Sequence, residues 1–138
     1  IGLWDDWKAV HLPGLPLAVI VAPPADFADV NGAVHDAASM NLRARLVFLG
    51  KCHDSMAGTG SMCTAAASRV PGSVVHKVVG AAAAATHALH IGHPLGVMEV
   101  KVVCEAAAEP SRPTFSALGL ARTARRLMSG SIYVPLDD

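Results

Sequence analysis

The chain has 138 residues, 52% of them apolar and only 16% charged, with eleven basic residues against eleven acidic ones. That size suits one domain with one modest core, and that apolar content argues against disorder and for a well-buried domain, or one with a large partner surface. A zero net charge without a basic stripe argues against nucleic-acid binding, and no apolar run reaches membrane-spanning length unbroken.

The first residue is Ile1 and no signal peptide precedes it, which suits a processed or trimmed chain. Trp4 to Leu12 reads as an amphipathic lead-in, broken by Pro13, Gly14 and Pro16. Leu17 to Ala22 predicts a buried strand, a short run rich in branched residues between Pro16 and Pro23-Pro24. Asp26 to Asn31 is loop or a short turn. The spacing over Ala33 to Leu49 predicts a helix, because Leu42, Leu46 and Leu49 share one helical stripe with Arg43 and Arg45 off it. Gly50 would stop that helix, with Lys51 in its last turn. A second helix is expected over Gly60 to Val70, its alanines allowing close approach to neighbouring backbone, with Pro71-Gly72 ending it.

The rest reads mainly as sheet. Ser73 to Val79 is a strand candidate. Ala81 to Ala85 stays open, since alanines favour a helix while the flanks look strand-like. His87 to Gly92 and Val97 to Cys104 predict a hairpin around the His93-Pro94-Leu95-Gly96 turn. Glu109 to Pro113 is a loop, Phe115 to Ala121 a strand, and Ile132 to Val134 a last short strand after Gly130. Several strands around one alanine-rich helix make an α+β domain. Cys52, Cys63 and Cys104 are odd in number and widely spaced, which suits a reduced, cytoplasmic protein.

Chemistry concentrates at Ala57-Gly58-Thr59-Gly60. The first N–H groups of a helix lack intrahelical partners and can hold a carboxylate or phosphate, assisted by the helix dipole. Thr59 and Ser61 could add hydroxyl donors. The alternative is that these glycines only permit a tight turn and close packing. No Lys-Ser/Thr pair follows them, so this is not a nucleotide P-loop. His53 precedes the loop and could move protons, or could be hydrogen-bonded scaffold. Cys63, inside the helix, reads as a small packed hydrophobe. Histidines 87, 90 and 93 on a strand alternate faces, which argues against a zinc triad. His93 and Gly96 at the turn could line a cleft. Arg122, Arg125 and Arg126 could grip a carboxylate, or form a solvated edge.

The order of these blocks resembles the C-terminal part of the PrpF family. They are Leu17 to Pro24, Arg45, Gly50-Lys51-x-His53, Thr59-Gly60-x-x-Cys63, Pro71-Gly72, Gly92-His93-Pro94-x-Gly96 and Arg122-Thr123-Ala124-Arg125-Arg126-Leu127-Met128-x-Gly130. That family comprises 2-methylaconitate cis–trans isomerases and related unsaturated tricarboxylate isomerases and tautomerases. The resemblance implies a diaminopimelate epimerase-like fold, in which two lobes each wrap strands around a central helix. Residues 1–138 would then form the second lobe. It implies catalysis by proton transfer on a small unsaturated di- or tricarboxylate, with no cofactor and no metal. A lysine and a cysteine of the first lobe would do the main acid–base work. This chain would contribute His53 as a catalytic group and Gly58, Thr59, Gly60, Ser61, His93, Gly96 and Arg122 for substrate binding. Its partners would be the substrate and a first lobe or companion chain, with a homo-oligomer compatible and no nucleic acid or membrane. Ala57 stands where the epimerases carry a second cysteine, which favours isomerase or tautomerase chemistry. Leu95 replaces a serine usual in the family and loses a hydroxyl donor. The alternative is a non-catalytic domain of the same fold that binds small anions.

Overall fold

The computed structural model describes residues 17–105, 109, 111–122 and 124–135. The lead-in expected over Trp4 to Leu12, with its breakers Pro13, Gly14 and Pro16, lies outside them. Strand β1 (Ala18–Ala22) forms where the apolar run between prolines predicts it, but at the edge of the sheet and not buried: Ile20 is exposed, and Val19 and Val21 are only half-buried. The loop expected next contains a short strand, β2 (Phe27–Ala28), which pairs antiparallel with β3 (Val34–His35).

The helix expected over Ala33 to Leu49 is replaced by other elements. Asp36 caps a single 3-10 turn at Ala37–Ser39, accepting from the Ala38 N–H at 2.7 Å. Leu42–Phe48 is strand β4, with Leu42, Ala44 and Leu46 buried and Arg43, Arg45 and Val47 only half-buried. A spacing of four between Leu42 and Leu46 fits a helical stripe and a strand face equally well. The alternating arginines decide for the strand. Gly50 therefore closes a hairpin instead of a helix. Leu49 and Gly50 have φ of 52° and 72° and lead into strand β5 (Lys51–Cys52), where Lys51 lies opposite Phe48. Two positive φ values in a two-residue loop match the twist of a hairpin.

Helix α1 runs Gly58–Ala67, two residues ahead of its expected start. Ser73 to Val79 is the second correction, because Val74–Val79 is helix α2. Ser73 Oγ accepts from the His76 N–H at 3.0 Å, and Val75, Val78 and Val79 pack on the core at helical spacing. Gly80, at φ 79°, separates α2 from the short α3 (Ala81–Ala84), which settles the open alanine run as helix. Strands β6 (Ala88–His93), β7 (Gly96–Glu105) and β8 (Thr114–Leu120) follow as expected. Ile132 to Val134 is exposed and forms no strand.

The main sheet has the order β1-β4-β6-β7-β8, with β5 also on β4. Among the described residues, only β4 and β6 pair parallel, Leu42 opposite Ile91; the other pairs are antiparallel. Leu42, Leu46, Leu89, Ile91, Val100 and Val102 are fully buried on one face. Each such side chain contributes about 1.5–3 kcal/mol relative to exposure. Helix α1 lies on that face and buries Gly60, Ser61, Thr64 and Ala65. Cys63 falls on the opposite side of the helix and is exposed, not packed. A Cβ on Gly58 would meet Leu120 of β8, and one on Gly60 would meet Leu46 of β4. Three strand spacings, about 14 Å in a flat sheet, separate β4 from β8. Two neighbouring turn positions of α1 reach both, so the sheet curls around the start of the helix.

Arg69, just past α1, is buried without an acidic partner among the described residues. Its Nη1 donates to Ser68 Oγ at 3.0 Å and Ala83 O at 3.3 Å, and its Nη2 to Thr86 O at 2.8 Å and Ala88 O at 3.2 Å. It ties the C-terminal end of α1 to the connection between α3 and β6.

Candidate functional site

Strand direction gathers the segments that the sequence singles out. β6 runs parallel to β4 and antiparallel to β7, which is antiparallel to β8. β4, β6 and β8 therefore deliver their C-terminal ends to one end of the sheet. The chain leaving β4 passes through β5 to His53 and the start of α1. The chain leaving β6 makes the His93–Gly96 turn, and the chain leaving β8 reaches Arg122, which is exposed.

His53 is fixed by its backbone and its ring. Its N–H donates to Leu46 O at 2.7 Å, and its Nδ1 accepts from the Ser55 N–H at 3.1 Å. In the neutral ring the proton therefore sits on Nε2. Val47 pairs with Ala18 of β1 and with Cys52 of β5, so β5 occupies the edge of β4 that β6 uses lower down. Continuing the β4–β6 register by one residue sets His93 level with Ala44. His53, bonded to Leu46, is two residues further along the same edge, about 7 Å in strand rise.

The start of α1 is bare. Ala57 provides no side-chain cap, and the first helical bond runs from the Ser61 N–H to Ala57 O at 2.8 Å. Among the described residues, the N–H groups of Gly58, Thr59 and Gly60 have no acceptor. Thr59 is exposed beside them. Ser61 is turned the other way. It is fully buried and its hydroxyl donates to Gly58 O at 2.8 Å, so it offers no donor to the open end. It leaves the set of substrate-binding candidates on that ground.

His93 is buried on the α1 side of the sheet, and its Nδ1 accepts from the Leu95 N–H at 3.3 Å. Burial, then the charges of Arg45 and His35, holds its imidazole below the ordinary histidine range. Gly96 has φ 122°, a conformation glycine adopts without strain. Leu95 exposes its aliphatic side chain at this turn. The three histidines do not converge. His87 precedes β6, and His90 faces away from His93 and pairs with Glu99 at 3.2 Å.

The sequence reading missed Asp29 and His35. Asp29 Oδ2 lies 3.0 Å from His35 Nε2, while Oδ1 accepts from the N–H groups of Asn31 at 2.8 Å and Ala33 at 3.0 Å. The Asp29-x-x-Gly32 spacing signals a turn, but nothing in the sequence pairs the aspartate with a histidine six residues on.

Comparison with known proteins identifies the family. A family match described as PrpF protein covers residues 1–135. The chain belongs to the PrpF family. A 3-methylitaconate isomerase of Eubacterium barkeri is 34% identical over 124 residues, covering 88% of this chain and 30% of the relative. A 2-methyl-aconitate isomerase of Shewanella oneidensis is 32% identical over 120 residues, covering 87% of this chain and 29% of the relative. A crystal structure of a methylitaconate-delta-isomerase superposes with a TM-score of 0.66 at 30% identity, over 77% of this chain and 26% of that one. The chain thus spans about a third of the length of the PrpF relatives it matches. It is an isomerase-family domain of mixed α+β architecture. No helix among the described residues is long and apolar enough to cross a membrane.

Proposed function

We propose that this chain is the carboxylate-holding lobe of a cofactor-independent isomerase of small unsaturated di- or tricarboxylates. In this reading it is the second lobe of a diaminopimelate epimerase-like pair, and the first lobe supplies the proton-transferring lysine and cysteine. The observation that carries it is the bare start of α1. Three backbone donors without acceptors among the described residues, at Gly58, exposed Thr59 and buried Gly60, lie at the sheet end where His53, the His93–Gly96 turn and Arg122 emerge.

The chemistry follows from that arrangement. A base on the first lobe removes an allylic proton beside a conjugated carboxylate. The resulting charge spreads into the carboxylate, where the N–H groups at the start of α1 stabilise it. A proton returned at another carbon shifts the double bond. A proton returned at the original carbon after rotation changes the geometry instead. His53, with its proton on Nε2, acts as hydrogen-bond donor and proton carrier at the edge of the site. Gly96 lets the backbone approach the substrate, and Arg122 meets an outer carboxylate. The acids that the relatives' names give, methylitaconate and methylaconitate, are of this class.

The test uses trans-aconitate and this chain alone in heavy water, followed by NMR. Weak binding without deuterium entering the substrate is the expected result. Deuterium incorporation would show that this lobe carries its own acid and base, and would overturn the division of labour. A second reading, a non-catalytic anion-binding domain of the same fold, draws on Leu95, whose exposed side chain stands where the resemblance expects a hydroxyl.

A further inference from the structure

The β2–β3 hairpin lies against the His93–Gly96 turn, and the mechanism above does not use it. The Val30 N–H donates to Pro94 O at 2.9 Å. A Cβ on Gly96 would lie 3.3 Å from His35 Cε1 and 3.4 Å from His35 Nε2, so the missing side chain leaves room for the imidazole to rest on the turn. Phe27 stacks on the other side of that ring, with centroids 5.1 Å apart and planes 28° apart. Ring position and plane are both fixed.

The pair is built with the carboxylate inside and the imidazole outside. The Asp29 side chain is 7% exposed and that of His35 25%. The hydrogen bond from His35, joined by those from the Asn31 and Ala33 N–H groups, holds Asp29 below the usual carboxylate range despite burial. Both Asp29 oxygens are occupied by protein donors. With Nε2 committed to Asp29, Nδ1 of His35 has no partner among the described residues. His35 pairs with Asp29 on its own hairpin, and His35 and Arg45 of β4 both act on the charge of His93. The Arg45 guanidinium donates to the carbonyls of Ala44 and Gly92 and lies 5.7 Å from the Phe27 ring centroid. Asp29 thus faces one basic side chain, His35, and both its oxygens are already used.

The geometry points to His35 as a binding residue for a second carboxylate of the substrate, through its Nδ1–H, with Asp29 as the positioning residue that holds the ring by Nε2. This rests on the carboxylate-cleft reading given above. The start of α1 takes one carboxylate and His35 takes another across the His93–Gly96 turn, which selects di- and tricarboxylates over monocarboxylates.

Tricarballylate, a saturated tricarboxylate without an allylic proton to exchange, is the probe. It is titrated into chain carrying nitrogen-15, observing the His35 ring and the Gly58–Gly60 amides together. The expected result is that His35 Nδ1 and the three amides shift with one dissociation constant. His35→Gln and His35→Phe should each weaken binding about tenfold, the worth of one charge-assisted hydrogen bond. Asp29→Asn should mix the ring tautomers and weaken binding by a smaller factor, and the His35→Phe variant keeps the stack on Phe27. Saturating amide shifts with an unmoved Nδ1, or full affinity in both His35 variants, would make the histidine a staple only and overturn the inference while leaving the cleft in place. An absence of shift at ring and amides alike would remove the cleft, and the inference with it.

Discussion

Leu46 and Gly60 meet with no room between them. A Cβ on Gly60 would fall inside van der Waals contact of Leu46 Cδ1, in a side chain that is fully buried. The same Leu46 holds the His53 N–H through its carbonyl. One residue of β4 therefore sets both the approach of α1 and the position of the histidine beside it.

Gly60→Ala should destabilise the fold in spite of its better helix propensity. Alanine in a helix gains about 1 kcal/mol over glycine. Overpacking a core typically costs about 1–3 kcal/mol. We expect a net loss of about 1 kcal/mol by urea denaturation, and a Leu46→Ala, Gly60→Ala pair that loses less than the sum of its single changes. A more stable Gly60→Ala protein would mean that α1 stands away from β4.

The hairpin between β4 and β5 carries a correctable strain. Leu49 is half-exposed yet has φ 52°. Leu49→Asn would place Asn-Gly, the preferred pair for this loop, and should stabilise by about 0.5–1.5 kcal/mol. A thermal midpoint unchanged or lowered would contradict the hairpin geometry.

Arg69 is a structural cation. Arg69→Met should cost about 1–3 kcal/mol, because it removes the guanidinium donors to the part-buried carbonyls of Ala83, Thr86 and Ala88. Arg69→Lys should recover little, since a single ammonium cannot span those acceptors. Equal stability of the lysine variant and the parent, read from urea midpoints, would contradict the role.

His93 gives stability a definite pH dependence. Its folded value lies below the ordinary 6.5, chiefly from burial and then from Arg45 and His35. As pH falls through 6.5 the unfolded chain takes a proton that folded His93 refuses. The unfolded state then binds more protons, so stability is full above that pH and declines toward the lowered folded value. The urea midpoint should fall between about pH 7.5 and about pH 5.5, and fall less steeply in His93→Gln. Identical slopes in the two proteins would show that the ring titrates normally.

The sequence made β1, α1, the β6–β7 hairpin and β8 legible, because proline, glycine and branched residues mark their limits. It misled where two periods coincide. Leu42 and Leu46 satisfy a helix and a strand alike, and only Arg43 and Arg45 separate the two. Val74, Val75, Val78 and Val79 look like a strand by composition. Their helical spacing after Ser73 is the better guide, since a capped helix packs three of them, partly buried, against the core. The segments at the open end were legible because backbone donors and a tight turn need glycine. The Asp29–His35 pair was not, because it depends on how a hairpin folds back, which no spacing announces.

The most direct test of the central claim is a titration of trans-aconitate followed at the backbone amides. The account predicts saturable shifts at Gly58, Thr59 and Gly60, small changes at Gly72 and Gly119, and loss of the response in Gly58→Leu. Unmoved amides at the start of α1, or an undiminished response in Gly58→Leu, would contradict it.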